Sequence, residues 1–494
     1  MHDGRSSKPS LPKWLPLAGL IVLALLMRLP RLNEIVSTHD WLTSHTALVT
    51  RVWQMTGLAA NHYSLVTNWP NPSDLKIQHG TGSVLDERGN TYFLSFPPFA
   101  FYLSYLFFQI LGQGASIFPL RLLMMLLSSL GAWAFARAVQ TAWGADGESR
   151  APALIAAAVF LLSPASLLYF GAAYFSLILS IPLWMGLLAE AVRPAPRPWL
   201  IALASFTICY TDWLGFLAAI PLTAIWLGRR QWRLIAALLT PAALALAITL
   251  VTYAGIAGWP ALLESIQTKY LMRAGLANDS SIFSIRDGLT YSLIFRNYYL
   301  GFIPLAIPFA WSGICFVLGR GRPGAKLPSG VWTLFWCLAI PVALDNLLLL
   351  NHTAGNRFAV LKAAPLFGCA LAMCLAARAW SNRWLDITCG IVTVALCFYG
   401  YIRVRFDADK AVPEIARIAQ YQVGLERMLF LQRNPTMGMA EPALLLLSER
   451  NFHMVESIAD AQAKLRKVGR TKGYYFAVLN YNPVKVAGLP ISTD

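Results

Sequence analysis

The sequence is short of charge. Only 13% of its 494 residues are Asp, Glu, Lys or Arg, whereas 57% are hydrophobic. Soluble globular proteins carry about 25% charged residues, so the composition excludes an ordinary soluble domain and predicts a polytopic membrane protein. The formal net charge is +16 because basic residues recur in short loops between apolar runs. This pattern indicates membrane topology, and since no nucleic-acid motif is present we predict no nucleic-acid partner.

The sequence also lacks the patterns of a disulfide framework, a cysteine metal site or an internal repeat. All its cysteines fall in apolar stretches, without metal-ligand spacing: Cys209, Cys315, Cys337, Cys369, Cys374, Cys389 and Cys397. Buried small hydrophobic side chains are the ordinary role of such thiols, so we predict no disulfides. The basic N-terminus precedes an apolar run without a small-residue cleavage site, and we interpret that run as an uncleaved first span.

Long apolar runs are what the sequence has in abundance. They lie at about 14–32, 94–112, 117–138, 151–170, 177–192, 199–211, 214–227, 232–254, 299–318, 331–350, 357–377 and 384–402. Most have the roughly 17–25 residues that a membrane-spanning helix requires. The pair 199–211 and 214–227 is short and interrupted by TDW, as is tolerated where broken segments line a polar cavity.

The basic loops indicate which of these runs cross the membrane. With the N-terminus in the cytoplasm, the later basic loops also lie in the cytoplasm only if 94–112 does not span. That run opens with two prolines and is rich in aromatic residues, which is typical of an interfacial or re-entrant helix. We therefore predict about eleven transmembrane helices, with the loops 33–116 and 255–298 and the C-terminus on the outer face.

A second composition begins after the last apolar run, because charges rise and long apolar stretches stop. We predict a transmembrane module over 1–402 and a small extracytoplasmic α/β domain over 403–494. Within it, ALLLLSERN is interpreted as a strand, SIADAQAKLRKVG as a helix capped by Ser457, and GYYFAVLNY as a second strand. No catalytic motif occurs there, so a structural or acceptor-positioning role is expected.

Asp40 is the leading candidate for chemistry. It follows the first span at the predicted outer surface and precedes an amphipathic pattern over 43–57. A carboxylate held there could act as a general base toward a hydroxyl nucleophile. The alternative is an exposed Asp that only caps the helix.

Asp212, in CYTDWLGF, is the second candidate, because an acid between two apolar half-segments is costly at membrane depth. Its structural alternative is again a helix cap.

Cations on the predicted outer face are candidate ligands for a phosphate group. Basic residues on that side run against the topological bias, and Arg and Lys donate charge-assisted hydrogen bonds to phosphate oxygens. For any one of them, contact with lipid headgroups is the alternative. His39, which precedes Asp40, is added to these cations. The candidate substrate-binding residues are therefore His39, Lys269, Arg273, Arg296, His352, Arg357 and Lys362. The histidines of the first loop lack metal-ligand spacing, so no zinc site is predicted.

Three segments together resemble a known family. They are THDWLTSHTALVTRVWQMTGL, YFLSFPPFAFYLSYLFFQILG and FPLRLLMMLLSSLGAWAFARAV. They look like the integral-membrane GT-C glycosyltransferases, in the bacterial branch related to protein O-mannosyltransferases and the lipid A aminoarabinose transferase. The resemblance implies that the first outer loop carries a catalytic Asp, here Asp40, and that the proline-containing stretch is an interfacial helix. It also implies inversion at the anomeric carbon.

One departure from that family concerns a second carboxylate. Many members carry it in the outer turn after the third span, where this chain has YFGAAYFSLILS and no acid. Either Asp212 compensates or one acid suffices. The turn also lacks the paired acids of the metal-dependent oligosaccharyltransferases, which disfavours a divalent metal, and we expect no cofactor.

These observations predict a glycosyltransferase in a bacterial inner membrane, with its N-terminus in the cytoplasm and its C-terminus in the periplasm. It would use a polyprenyl-phosphate-linked sugar donor and a lipid, glycan or protein acceptor, in contact with membrane lipids. The rival interpretation is a transporter or flippase of a lipid-linked anionic substrate, using the same outward cations and the broken 199–227 segment. An enzyme needs the Asp40 carboxylate, whereas a transporter could tolerate Asn there.

Overall fold

A computed structural model describes most of the chain. The described residues are 14–32, 40–70, 84–144, 150–276, 288–317, 327–377, 383–403, 411–432, 441–481 and 484–493. The candidate His39 lies outside these ranges. Asp40 is the first residue of a helix, and its side chain lies outside the description.

The first half of the chain is almost entirely helical. Its helices are α1 (Leu15–Arg28), α2 (Asp40–Thr56), α3 (Phe99–Leu111), α4 (Ile117–Trp143), α5 (Arg150–Leu162), α6 (Pro164–Ala172), α7 (Ser176–Ala191), α8 (Pro198–Cys209) and α9 (Leu214–Gly228). A short antiparallel hairpin of β1 (Val84–Leu85) and β2 (Thr91–Tyr92) lies between α2 and α3. The predicted break at TDW is present, since residues 210–213 separate α8 from α9.

Helices also make up the chain from Trp232 to Arg403. They are α10 (Trp232–Ala274), α11 (Gly288–Phe302), α12 (Ala306–Cys315), α13 (Ser329–Leu348), α14 (Leu350–Gly355), α15 (Ala364–Ala376) and α16 (Arg383–Arg403). A 3-10 helix over Arg357–Ala363 joins α14 to α15. The predicted loop 255–298 is thus helical at both described ends, because α10 continues into it and α11 begins within it.

The protein is a multi-pass membrane protein by the length and apolar character of its helices. Six described helical segments are long and apolar enough to cross a bilayer, or seven if the bent pair α5–α6 counts as one span. The shorter apolar helices are α1, α3, α7, α8 and α9. Eleven crossings would need four of these five to span as well, so the number of spans stays a prediction.

Two breaks in long helices have identifiable local causes. α5 and α6 meet at 57° because Pro164 opens α6, where the Ser166 N–H instead donates to Ser163 Oγ (3.3 Å). Within α10, Gly258 has φ +86, a left-handed conformation that glycine adopts without steric cost. The second break redirects α10 and sets the course of its last turns, which carry Lys269 and Arg273.

α3 has the length expected of the predicted interfacial segment. It has only 13 residues, fewer than the roughly 20 that a spanning helix needs. Its start at Pro98 matches the double proline of the sequence, and Gly112 ends it in the left-handed conformation. On the side facing α2, Ser104 Oγ lies 2.8 Å from Thr50 Oγ1, so the two helices are hydrogen-bonded to each other. Its position relative to the bilayer stays a prediction.

The C-terminal residues form a mixed sheet with helices. The strands are β3 (Met428–Gln432), β4 (Phe452–Val455), β5 (Lys472–Tyr481) and β6 (Val484–Ser492), and the helices are α17 (Ala411–Gln422), α18 (Glu441–Ser448) and α19 (Ile458–Lys467). The strand order is β4-β3-β5-β6, parallel at the first two pairings and antiparallel between β5 and β6. The segment β4–α19–β5 therefore crosses over β3, as a β-α-β connection does.

Two of the three sequence predictions in this region are confirmed and one is wrong. The helix with the Ser457 cap is α19, where Ser457 Oγ accepts from the Asp460 N–H (3.3 Å), and GYYFAVLNY lies in β5. The predicted strand ALLLLSERN instead lies mainly in α18 and the turn after it. Leu and Ala are good helix formers without β-branching, and Pro442 is at the second residue of the helix, a tolerated place for proline.

This C-terminal unit is fastened to the helical part of the chain. The Asn451 side chain donates to Trp69 O (2.8 Å) and accepts from Trp69 N–H (2.6 Å). Leu445 of α18 belongs to the same hydrophobic core as the membrane helices. Arg51 of α2 and Glu449 form a longer, partly exposed ion pair (3.9 Å). The buried two-point contact of Asn451 therefore carries more of the attachment than the ion pair does.

Replacing Asn451 by Ala should loosen this attachment. The substitution removes two buried hydrogen bonds, which contribute about 0.5–1.5 kcal/mol each. The backbone N–H and C=O of Trp69 both lose their bond to Asn451. We expect faster proteolytic release of the C-terminal unit and a lower unfolding temperature in detergent. Glu449→Gln is the control, because an exposed ion pair contributes at most about 1 kcal/mol. Equal behaviour of the two variants would contradict the assignment of Asn451 as the main contact.

Candidate active site

The amino end of α2 is held against the turn that follows α6. Thr43 Oγ1 donates to Ala172 O (3.1 Å), and Thr46 Oγ1 donates to Tyr174 O (3.2 Å). The Tyr174 N–H in turn donates to Thr43 Oγ1 (3.2 Å). Both threonine side chains are buried. Asp40 is one turn earlier on α2, so its backbone is held beside the turn after α6, in which the sequence lacks an acid.

The second turn of α2 carries His45 inside a group of aromatic rings. The ring centroids of Trp41, Phe93, Phe101 and Phe175 lie 5.0, 5.2, 5.5 and 6.3 Å from that of His45. We call these four residues the aromatic cage. Burial, helped by the charge of Lys269, lowers the pKa of His45 to about 3, so the imidazole is neutral.

Lys269 and Arg273 occupy successive turns near the end of α10. The Lys269 Nζ lies 4.9 Å from the centroid of Phe93, and the Arg273 Cζ lies 4.9 Å from that of Phe96. Lys269 is only 6% exposed, and in the described part of the chain its amine has no hydrogen-bond partner. Cation–π contacts offset part of the cost of burying these charges but do not satisfy the N–H groups. The pair can therefore accept an anionic ligand.

Asp212 is buried between α8 and α9, outside either helix. The Leu214 N–H donates to its Oδ1 (2.9 Å), which is the helix-capping role proposed as its structural alternative. Its Oδ2 is buried without a hydrogen-bond partner. Burial raises the pKa of Asp212 to about 7; the Leu214 N–H and the charges of Arg273 and Lys362 oppose that rise, while Asp345 adds to it. One oxygen caps a helix and the other remains available.

Asp345, which the sequence analysis did not single out, forms a buried ion pair with Lys362. The Lys362 ammonium donates to Asp345 Oδ2, and it lies 3.5 Å from Thr353 Oγ1. Both side chains are almost fully buried. The pair leaves Lys362 less free than Lys269 to bind an anion, because its charge is already neutralised. An acid inside the apolar run 331–350 was the signal that could have revealed Asp345.

His352 is at the edge of the same group of charges. Burial and the positive charges of Arg273 and Lys362 hold the pKa of His352 well below its usual range. Its Nδ1 lies 3.1 Å from Asn356 Nδ2, and its ring packs on Phe358 (5.7 Å). The structure thus brings together candidates that are distant in sequence. We call the group the polar cluster; its members are Asp212, Lys269, Arg273, Asp345, His352 and Lys362.

The remaining two predicted cations are placed differently. Arg357 is partly buried at the start of the 3-10 helix, and its positive charge interacts electrostatically with the Tyr169 hydroxyl of α6. The ring of Tyr169 contacts Phe358, which also packs on His352, so Arg357 borders the polar cluster. Arg296 is exposed on α11, and none of the interactions described for the cluster involves it. Of the described candidates, Arg296 is therefore the least suited to a buried site.

The polar cluster and the amino end of α2 are adjacent through shared aromatic residues. Phe93 contacts both His45 and Lys269, and Phe96 contacts both Phe175 and Arg273. Within the described residues, the site thus combines a buried Lys269 amine without a hydrogen-bond partner, the partly buried Arg273, a carboxylate with one unpartnered oxygen, and a helix that begins at Asp40. It can hold an anion beside a proton acceptor. Among the residues that the structure describes, no three His, Cys, Asp or Glu side chains are grouped as metal ligands.

The arrangement of the helices over about 94% of the chain matches that of solved membrane proteins with the GT-C fold. Solved structures that resemble the chain include ArnT from Cupriavidus metallidurans bound to undecaprenyl phosphate and the Archaeoglobus fulgidus oligosaccharyltransferase. For ArnT the TM-score is 0.52 at 13% identity, over 94% of this chain and 93% of that chain.

The oligosaccharyltransferase in its apo form gives a TM-score of 0.58 at 11% identity, over 95% of this chain and 70% of that chain. The same enzyme, AglB, in complex with an inhibitory peptide and a dolichol-phosphate gives a TM-score of 0.53 at 10% identity, over 95% and 70%. No protein-family model and no curated protein matches the sequence. The predicted GT-C resemblance is confirmed at the level of the fold.

Proposed function

We propose that this protein is a glycosyltransferase that moves a sugar from a polyprenyl-phosphate-linked donor to an acceptor hydroxyl. The observation that supports this most is the buried, unpaired Lys269 ammonium, one turn from Arg273, in a GT-C fold. Two structures of that fold contain undecaprenyl phosphate or a dolichol-phosphate. A lipid-linked phosphate would provide the missing partner of Lys269.

The electrostatic reason is the cost of an unpaired buried charge. An isolated ammonium in a low-dielectric interior is strongly unfavourable unless it is paired, and Asp345 is already paired with Lys362. Phosphate oxygens accept charge-assisted hydrogen bonds from Lys and Arg at the same time. Lys269 and Arg273 would therefore bind the donor phosphate directly. The substrate-binding role of Lys362, His352 and Arg357 would be indirect, through the electrostatic potential around that phosphate. His39, which precedes Asp40, is proposed as a further substrate contact.

The proposed reaction is a single displacement. Asp40 accepts the proton of the acceptor hydroxyl as that oxygen bonds to the anomeric carbon of the sugar. The bond from that carbon to the phosphate oxygen breaks, and its electron pair leaves with the polyprenyl phosphate. The phosphate gains negative charge, which Lys269 and Arg273 stabilise where it develops. The configuration at the anomeric carbon inverts, and no cofactor takes part.

Asp212 is proposed as a second acid of the site. The charge of Arg273, one of the two proposed phosphate ligands, acts on it, and its Oδ2 has no hydrogen-bond partner among the described residues. Asp212 would position the acceptor or share the work of the base, replacing the carboxylate that is missing from the outer turn. A divalent metal at this acid is the alternative, which an assay with and without chelator separates.

The proposed setting is the periplasmic face of a bacterial inner membrane. The N-terminus would be cytoplasmic and the C-terminal unit periplasmic, as the basic loops predict. Membrane lipids would surround the helices, and the acceptor would be a lipid, a glycan or a protein. A small unit held by Asn451 beside the first outer loop is suited to positioning that acceptor.

A transfer assay tests the proposal. The purified protein in nanodiscs is given undecaprenyl-phosphate-linked monosaccharides, and release of undecaprenyl phosphate is followed. We expect release that depends on protein and on an acceptor extract from bacterial envelopes. Movement of donor between leaflets of a proteoliposome without any release would instead support the transporter or flippase. Absence of both release and donor binding over the panel would overturn the proposal.

A further inference from the structure

His45 is a buried imidazole, and neither of its ring nitrogens has a hydrogen-bond partner among the residues that the structure describes. The residue is 1% exposed, and both Nδ1 and Nε2 are buried without a hydrogen bond. A buried polar group left unsatisfied costs about 1–3 kcal/mol. An apolar side chain would fill the aromatic cage without this cost. The position of His45 therefore indicates a hydrogen-bonding partner that comes from outside the protein.

The cage is completely buried on one side and borders the surface on the other. Phe101 and Phe175 are completely buried, whereas Trp41 and Phe93 are only partly buried. Phe93 carries the Lys269 ammonium, and Trp41 directly follows Asp40 in the chain. The rings of Trp41 and Phe93 contact each other, with centroids 5.5 Å apart, so a ligand reaches His45 from this side only when those rings shift. It would then pass the proposed phosphate ligand and the proposed base.

The chemistry of the cage selects the class of ligand. A neutral imidazole has one nitrogen that donates a hydrogen bond and one that accepts, which matches a hydroxyl group. An anion would be bound better by Lys269, whose amine can carry a positive charge. The four aromatic rings suit an uncharged ligand with apolar faces, since binding sites combine such surfaces with a few placed polar groups. A monosaccharide presents both hydroxyl groups and C–H faces.

We propose that His45 binds a hydroxyl group of the donor sugar, with the ring of that sugar against Trp41 and Phe93, while Lys269 binds the attached phosphate. This assignment rests on the proposed function and adds to it the part of the site that recognises the sugar. It makes His45 a substrate-binding residue. Sites built to hydrogen-bond a substrate hydroxyl discriminate strongly against ligands without it, so His45 would favour the sugar-bearing lipid over the bare one.

The test compares two lipids on three proteins. Binding of undecaprenyl phosphate and of undecaprenyl-phosphate monosaccharides, both hexoses and an aminopentose, is measured for wild type, His45→Phe and His45→Gln in nanodiscs. His45→Phe completes the apolar cage, and His45→Gln restores a donor and an acceptor. For the sugar-bearing lipid that wild type binds most tightly, we expect His45→Phe to weaken binding by about 10-fold, which corresponds to a loss of roughly 1.4 kcal/mol. Binding of bare undecaprenyl phosphate should be unchanged, and His45→Gln should recover part of the difference.

The other outcomes overturn the inference in distinguishable ways. If His45→Phe weakens the binding of both lipids equally, His45 is a phosphate ligand or a structural residue. Unchanged binding of both, with a raised unfolding temperature, would mean that the cage is only a packing unit. If wild type binds bare undecaprenyl phosphate but prefers no sugar-bearing lipid, the sugar assignment fails while the phosphate site stands. If it binds neither lipid, the proposed function fails with it.

Discussion

Asp40→Asn should lower sugar transfer by about 10²–10⁴-fold, the usual contribution of general acid–base catalysis. The amide keeps the size of the side chain but cannot accept the proton of the acceptor hydroxyl. Donor binding should change little, because the proposed ligands of the phosphate are Lys269 and Arg273. Asn and Asp are equally good at helix starts, and loss of a charge at the start of α2 costs about 0.3–1 kcal/mol. Transfer and donor binding are measured on the same nanodisc preparation.

Asp212→Asn is the comparison for that result, because Asn keeps the Oδ1 that accepts from Leu214 N–H. If Asp212 only caps α9, transfer by this variant should resemble wild type. If its charge is used, transfer should fall, and wild-type activity should rise as pH increases through about 7, where the buried carboxyl loses its proton. If the Asp40→Asn variant transfers sugar as fast as wild type, Asp40 is a helix cap and the base lies elsewhere.

Lys269→Met should weaken donor binding by about 10- to 150-fold, since a hydrogen bond to a charged group contributes about 1.5–3 kcal/mol. Met keeps the length and the apolar stem of Lys but has no ammonium. Without donor, the variant should be as stable as wild type or more stable, because an unpaired buried charge has been removed. With undecaprenyl phosphate present, wild type should gain thermal stability and the variant should gain less. Binding and unfolding are measured with and without the lipid.

Lys467→Met is the matched control for the loss of one positive charge. Lys467 is exposed at the end of α19 in the C-terminal unit, far in sequence from the polar cluster. Its replacement should leave both donor binding and stabilisation by lipid unchanged. A marked loss of stability in Lys269→Met without lipid, with donor affinity preserved, would show that Lys269 is a structural cation and would remove the main support for the phosphate site.

Local patterns in the sequence were sufficient for the type of each long element. The apolar runs predicted the helices, the TDW break appears between α8 and α9, and the Ser457 cap and the strand in β5 are as expected. ALLLLSERN was misassigned, because a short apolar run of leucines fits a buried helix as well as a strand. The bend between α5 and α6 was also missed, although Pro164 marks it.

The sequence by itself determined that this is a membrane protein with a small α/β unit at its C-terminus, and it nominated Asp40, Asp212 and the outer cations. Those conclusions depend on composition and on neighbours along the chain. Only the tertiary structure decided that Asp212, Arg273 and Lys362 lie close together and that Asp345 already pairs with Lys362. It alone placed His45 in the aromatic cage and left Arg296 exposed. The reason is physical: burial and charge pairing depend on contacts between helices far apart in sequence, which no local pattern specifies.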